Sequence, residues 1–364
     1  MKKSFLMLGL AVAAMSSCTN DEVIDMNQSN QKAIGFESFV NKGTRAADDD
    51  YVPVTNEVNK GNLNRFYVYG YHNGTQDNIV FDDVLVVKDA TVGWKMAEAN
   101  EKDWKTQIYN FAAIADGAGA GVTLTTNPEQ KAYSSSFANA TLNITDYKVN
   151  ESPSNQTDLI AAVATRNNST TLNTNAVSLD FKHLLSKVDF KFTNTNLNNL
   201  SMVVSNVALK VKTQADCAYN GTATWSNWDT EITYELTQPT NNTGVTELFG
   251  GNNALKDTAK KYIIAKGESS IISAEYFVIP DQTEASINYT VTFYDADGNQ
   301  VEQKSNQTLS LFPNELTSWQ PSYIYKYNVQ LPASPKKIEF TVGTVGGWKS
   351  EDVYLDGKLA TTAN

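Results

Sequence analysis

The sequence predicts an all-β protein built as two β-sandwiches in tandem, and three observations carry that expectation. A dozen aromatic or β-branched runs recur along the chain, each bounded by Gly, Asn or Asp turn signals. An amphipathic helical period of ordinary length is found only over Val245 to Lys261. The length of 364 residues with 41% hydrophobic side chains is enough for two ordinary domains with real cores.

The first strand is expected at Ala33-Ile34-Gly35-Phe36-Glu37-Ser38-Phe39-Val40, where Ile34, Phe36 and Val40 fall on one face of a two-residue repeat. Next come Asn64 to Tyr71, Asn78 to Lys88, Gln107 to Ala115, Ala140 to Val149, Asp158 to Ala164 and Val177 to Phe192. A second series covers Met202 to Val211, Thr230 to Leu236, Ser273 to Ile279, Ile287 to Tyr294, Tyr323 to Leu331 and Ile338 to Val345. Between the series lies Thr193-Asn194-Thr195-Asn196-Leu197-Asn198-Asn199, a polar stretch read as the division between domains spanning 46–193 and 194–364.

Composition narrows the function. With 29 basic against 40 acidic residues the formal charge is −11, unsuited to neutralising phosphates, so nucleic acid is not an expected partner. Two histidines and two cysteines leave little for acid-base catalysis at neutral pH, thiol redox chemistry or Cys/His metal cages. No motif calls for a cofactor, and no nucleophile elbow, phosphate loop or zinc helix is present.

The amino terminus fixes an export expectation. Lys2 and Lys3 precede the apolar run Phe5 to Ala14, too short to span a bilayer but suited to a secretory signal. Met15-Ser16-Ser17-Cys18 resembles a bacterial lipobox, which implies a signal peptide over 1–17, cleavage before Cys18 and lipid (palmitate among the acyl groups) on that residue. Cys217 is then left without an intrachain disulfide partner. After the first strand, Asn41 to Asp50 shows no periodicity and contains Gly43, Arg45 and Ala46, as expected of an exposed, protease-accessible loop.

Candidate sites are weighed against plainer alternatives. Asp295-Ala296-Asp297-Gly298-Asn299 offers oxygens at alternate positions as calcium loops do, but Asn306 stands where the bidentate Glu belongs, and a hairpin turn is the expectation. Asp48-Asp49-Asp50 and Asp82-Asp83 are read as solvated loop residues, and His72 as a turn residue. Trp225 and Trp228 are the first choices for a sugar-stacking platform, the feature a surface glycan-binding lipoprotein would need. A third class, an extracellular hydrolase, would need two facing carboxylates distant in sequence.

Val177-Ser178-Leu179-Asp180-Phe181-Lys182-His183-Leu184-Leu185-Ser186-Lys187-Val188-Asp189-Phe190 resembles a strand of Bacteroidales fimbrillin-like proteins, preceded as in that family by Asp158-Leu159-Ile160-Ala161-Ala162. The lipobox, the Ile34 to Phe36 strand, the Thr44-Arg45-Ala46 loop and the Trp319 to Tyr327 segment fall in the family's order. The resemblance implies a non-enzymatic type V pilus subunit of two transthyretin-like Greek-key β-sandwiches. It also implies a propeptide over 18–45, whose strand is excised by an Arg-specific surface protease cutting between Arg45 and Ala46.

The resemblance further implies an outer-membrane lipid anchor before maturation, then incorporation into a fimbrium with other pilin subunits, like copies as well as tip and anchor subunits, in adhesion and biofilm. The donor strand that replaces the excised one would come from the C-terminal region, either Ile338, Phe340 and Val342 or Val353 and Leu355. The excisable residues Ile34, Phe36 and Val40 would be worth about 5 to 9 kcal/mol gross as buried side chains. Arg45 favours a shaft or tip subunit over a lipid-retaining anchor, and the tail beyond Trp348 favours shaft over tip. His183 is expected to pack or hydrogen-bond rather than to catalyse.

Overall fold

The computed structural model describes residues 33–40, 63–73, 78–90, 93–117, 131, 133–152, 155–195, 200–229, 231–236, 261–264, 269–271, 275–297, 299–312, 316–331, 338–342 and 353–357. Among them are no α-helix and one 3-10 turn, Glu98–Asn100. The strands in chain order are β1 Phe36–Val40, β2 Arg65–His72, β3 Ile79–Asp89, β4 Gly93–Lys95, β5 Ile108–Asp116, β6 Ser134–Ala138, β7 Thr141–Lys148, β8 Leu159–Asn167, β9 Val177–His183, β10 Ser186–Asn194 and β11 Ser201–Lys212. They continue with β12 Gln214–Tyr219, β13 Ala223–Ser226, β14 Glu231–Glu235, β15 Lys261–Ile264, β16 Ser269–Ile271, β17 Tyr276–Val278, β18 Ser286–Tyr294, β19 Gln300–Ser310, β20 Ile324–Leu331, β21 Ile338–Val342 and β22 Val353–Gly357. The 245–261 helix expectation falls almost wholly outside the described residues.

A seven-stranded sheet has the order β1-β9-β8-β5-β2-β3-β4. Its central strands are buried on both faces, which is why β2 and β5 read as near-continuous apolar runs rather than alternating ones. One face carries Tyr67, Tyr69, Ala112, Ile114 and Ala161 against the four-stranded sheet β13-β12-β7-β6. The other carries Phe66, Val68, Phe111, Ala113 and Ile160, closed over by Leu63 and by Trp94, Met96 and Trp104 of β4 and the segment leading to β5. Gly70 is required at this second core, since a Cβ there would stand 2.8 Å from the Phe111 ring.

A third core lies between two further sheets. One has β10 at its centre, antiparallel to β16 and β17 on one side and parallel to β20 on the other. Facing it is a sheet in which β11 pairs with β14, β15 and β18, and β18 with β19. Phe190 and Tyr327 stack at 5.4 Å within this core, and the indole N–H of Trp319 donates to the Tyr327 hydroxyl at 2.8 Å.

The sequence reads 177–192 as one strand, but the chain breaks at Leu184-Leu185 and changes body there. β9 closes on the seven-stranded sheet and β10 opens the next. Both leucines are buried in the core beneath the four-stranded sheet, so the break is made by packing and not by a turn residue. The polar segment 193–199, read as the domain division, falls in sequence between β10 and β11, whose side chains share one core. After β11 the chain returns, and β12 pairs with β7.

Candidate functional site

The strand expected to be excisable is the edge of the seven-stranded sheet. Among the described strands β1 pairs with β9 alone, in parallel, with Phe36 opposite Val177 and Val40 opposite Phe181. Just before it, the Val177 N–H donates to the Gly35 carbonyl at 2.8 Å and the Ile34 N–H to the Lys102 carbonyl at 2.8 Å. An edge strand can leave without breaking the ladder behind it, and the strand it uncovers then presents unpaired backbone groups.

Its side chains are the opposite of peripheral. Ile34 is 1% exposed and Phe36 0%. The Phe36 ring stands edge-on to Phe66 at 6.2 Å, Phe81 at 5.7 Å and Phe111 at 5.8 Å between centroids. The two side chains together contribute about 3 to 6 kcal/mol by burial, and the ring pairs a fraction more. Removing β1 therefore opens a groove floored by Phe66, Phe81 and Phe111 and walled by the bare edge of β9. Backbone pairing is described for Val40 but not its side chain, while Cys18, Arg45 and Ala46 lie outside the described residues.

The donor candidates sit at the other end of the chain. Ile338, Phe340 and Val342 belong to β21, and Val353 and Leu355 to β22; the two strands pair antiparallel, Phe340 opposite Leu355, with β21 beside β20. Their side chains lie outside the described residues.

The two motifs that carry the family resemblance meet at the change of body. His183 Nδ1 lies 2.7 Å from Asp158 Oδ2, both side chains buried. The His183 carbonyl accepts from the Ser322 hydroxyl at 2.7 Å, the Leu184 carbonyl from the Trp225 indole N–H at 3.2 Å, and the Leu185 carbonyl from the Ser322 N–H at 2.9 Å. Nearby, the Phe277 N–H donates to Gln156 Oε1 at 2.7 Å, and Lys187 and Glu275 form a buried pair at 3.1 Å. The expected hydrogen-bonding role of His183 is what this geometry provides. Asp158 stood in the family motif without its partner, and the sequence carries no signal for Ser322 and Gln156, because their partners are remote in the chain.

Other candidates resolve locally. Trp225 is 5% exposed and hydrogen-bonded inward, so it offers no face to a sugar; Trp228 packs half-buried against the same core. The Asp295 carboxylate accepts from the N–H groups of Asp297 and Asn299 at 3.0 and 2.8 Å, closing the turn between β18 and β19. Asp83 engages the Lys131 ammonium and the Tyr69 hydroxyl, and Lys131 Nζ also lies 4.5 Å from the Tyr67 ring centre. Burial pushes Lys131 down and Tyr69 up. No group of three or more His, Cys, Asp or Glu is placed to hold a metal among the described residues. Nor is any helix among them long and apolar enough to cross a membrane.

Comparisons with known proteins place this geometry in context. Residues 44–348 match the family described as fimbrillin-like. A fimbrial protein from Bacteroides vulgatus superposes with a TM-score of 0.55 at 15% identity, covering 89% of this chain and 99% of its own. A candidate cell adhesion protein from Bacteroides eggerthii matches at 0.43 and 11% identity, over 93% of this chain and 94% of its own. A candidate adhesin from Bacteroides thetaiotaomicron matches at 0.39 and 11%, over 81% and 91%. No curated protein matches the chain.

Proposed function

The chain belongs to the fimbrillin-like family, and on that premise we propose that it is a structural subunit of a cell-surface type V pilus, polymerising by strand exchange once its first strand is cut away. The observation that supports this reading is a contrast at β1: it is an edge strand that pairs only with β9 among the described strands, yet its Phe36, with Ile34 just before it, seals a core. A strand held for stability alone would gain from a second pairing partner. One built for removal has a reason to stand at the edge and to be followed in sequence by Arg45.

In this reading residues 18–45 are a propeptide held by lipid on Cys18, and an Arg-specific protease cuts between Arg45 and Ala46. The mature chain carries two transthyretin-like Greek-key sandwiches, and the vacated groove takes a strand from the C-terminal region of a neighbour. Donor and groove differ, so the contact is head to tail and extends without closing. Membership of the fimbrillin-like family supports a structural subunit over a catalyst. Glycan binding through Trp225 is disfavoured by its burial.

The test treats the purified precursor and an Arg45→Ala variant with an Arg-specific protease. The precursor should acquire Ala46 as its amino terminus and shift to large species on size exclusion, whereas the variant stays monomeric. A precursor cut at Ala46 that remains monomeric at high concentration overturns the proposal.

A further inference from the structure

We infer that the end of the seven-stranded sheet beneath Trp104 is a latent site for a carboxylate flanked by a hydroxyl, the chemistry of an acidic sugar or a small hydroxy acid. Arg166, His72 and Gln107 line it. The segment leading to β5 roofs it in the precursor, and loss of the residues just before β1 unlocks that roof. This rests on the removal of β1 proposed above and goes beyond it by giving that removal a second consequence, the exposure of a ligand site.

The first argument is a gathering of buried polar atoms. Trp104 Nε1, Arg166 Nη1, His72 Nδ1 and Gln107 Oε1 are all buried without a hydrogen-bond partner within the protein. They meet around one ring. Tyr109 stands opposite His72 on β2 and opposite Arg166 on β8, which puts these three side chains on one face of the sheet. Trp104 is edge-on to the Tyr109 ring at 5.0 Å, the His72 ring lies 5.9 Å from that of Tyr109, and Arg166 Cζ lies 5.6 Å from the Trp104 ring centre. Gln107 comes two residues before Tyr109. Elsewhere such an atom stands alone, as at Tyr133 and Asn288. Each one costs the fold stability, so a cluster of them calls for a partner that the chain does not supply.

Charge says what that partner is. The chain carries a net −11, yet neither Arg166 nor Lys105 forms an ion pair among the described residues. Arg166 Nη2 donates to the Ala176 carbonyl at 2.9 Å, which orients the guanidinium. Burial and the Lys105 ammonium both hold His72 below its ordinary value, so the lysine charge is felt at the site. A guanidinium, an indole N–H and an imidazole N–H match the acceptor oxygens of a carboxylate. Gln107 Oε1 only accepts, and a hydroxyl beside that carboxylate answers it. A fully ionised phosphate has no hydrogen to offer there.

The roof is tied on two sides. Trp104 is 3% exposed, which closes the site in the precursor. On one side the residues before β1 hold the roof: the Ile34 N–H donates to the Lys102 carbonyl at 2.8 Å, and Ala33 bridges Asp103. On the other, the Lys105 N–H donates to the Tyr109 hydroxyl at 2.8 Å and the Asn168 N–H to the Gln107 carbonyl at 2.9 Å. Losing residues 33–40 cuts the first pair of ties and leaves the second. Trp104 stands between them, so its indole swings about the side that remains attached. Arg166, His72 and Gln107 are half-buried, and the site they line is one side chain below the surface.

Equilibrium dialysis against labelled glucuronate tests this with the precursor, the Arg45-cleaved protein and an uncut Ile34→Pro precursor, which lacks the N–H that ties Lys102. Both opened forms should bind about tenfold or more tighter than the precursor, because the competent state is no longer rare. In the cleaved protein Arg166→Gln and Trp104→Phe should each weaken binding by about tenfold. Lactate separates the two sources: binding of glucuronate alone assigns an acidic sugar, and binding of both assigns the hydroxy acid unit.

If neither acid binds an opened form, or if Arg166→Gln changes nothing, the site is overturned. A precursor that binds as tightly as the opened forms overturns the roof. Inorganic phosphate that competes as well as glucuronate overturns the part given to the hydroxyl. If the Ile34→Pro precursor binds but cleavage fails to release residues 33–40, the failure belongs to the processing reading and the site stands.

Discussion

Truncating Phe36 to Ala should weaken both the precursor and the hold of the sheet on the cleaved strand. The ring is fully buried and meets three other rings edge-on, so its loss removes burial and leaves a cavity that three aromatic neighbours cannot collapse into. Phe to Ala changes at such sites lower stability by about 3 to 5 kcal/mol. In the precursor this appears as a fall in the unfolding free energy measured in urea. After cleavage the strand is held without covalent linkage, and at about 1.4 kcal/mol per decade the same loss accelerates its release by about a hundredfold or more.

The assay follows release of a fluorescently labelled 18–45 peptide after Arg-specific cleavage, alongside urea melts of the uncut protein. Glu37→Ala, at a half-exposed position one residue on, should shift stability by no more than about 0.5 kcal/mol. A Phe36→Ala precursor within about 1 kcal/mol of the parent, or a cleaved variant that releases its peptide no faster, would refute the claim that Phe36 is what holds the strand in place.

Three further outcomes are expected. His183→Ala removes the partner of buried Asp158 at the change of body and should lower stability by about 1 to 3 kcal/mol, measured by denaturant unfolding, whereas an exposed change such as Lys182→Ala should not. Gly70→Ala places a methyl group 2.8 Å from the Phe111 ring and should destabilise by about 1 to 3 kcal/mol, read as a lowered thermal midpoint. Burial pushes the Cys217 thiol up to about 12, so the native mature protein should resist thiol alkylation at pH 8 and react once unfolded. Because that folded-state value is raised, its contribution to stability is present below the ordinary thiol value near 9 and is lost as pH climbs to about 12. Buried Tyr147 and Tyr327, also raised by burial, act in the same direction, so the unfolding midpoint should fall steeply on alkaline titration.

Local pattern made the aromatic and β-branched strands legible, because Arg65–His72, Ile108–Asp116 and Ile324–Leu331 are runs that few other conformations accommodate. It missed β19, whose sequence Gln300–Ser310 is almost wholly polar, because an edge strand facing solvent on both sides carries no apolar alternation. The break at Leu184-Leu185 was invisible for the reverse reason: both residues are apolar and buried, and nothing in them announces a turn. The partners of β12, and the parallel pairing of β10 with β20, are set by contacts far apart in the chain. At the candidate site the alternation of Ile34 and Phe36 was legible, whereas the aromatic walls around them came from three other strands. Trp225 shows the same limit, since a tryptophan in a turn-rich stretch reads as exposed until the core it fills is assembled.

The central claim is that loss of β1 turns a closed monomer into a polymerising unit. Electron microscopy of the precursor before and after Arg-specific cleavage tests this most directly. Dispersed particles are expected before cleavage, thin unbranched filaments after it, and none from the Arg45→Ala variant under the same treatment. Dispersed particles from fully cleaved protein, or filaments from precursor that retains its first strand, would contradict it.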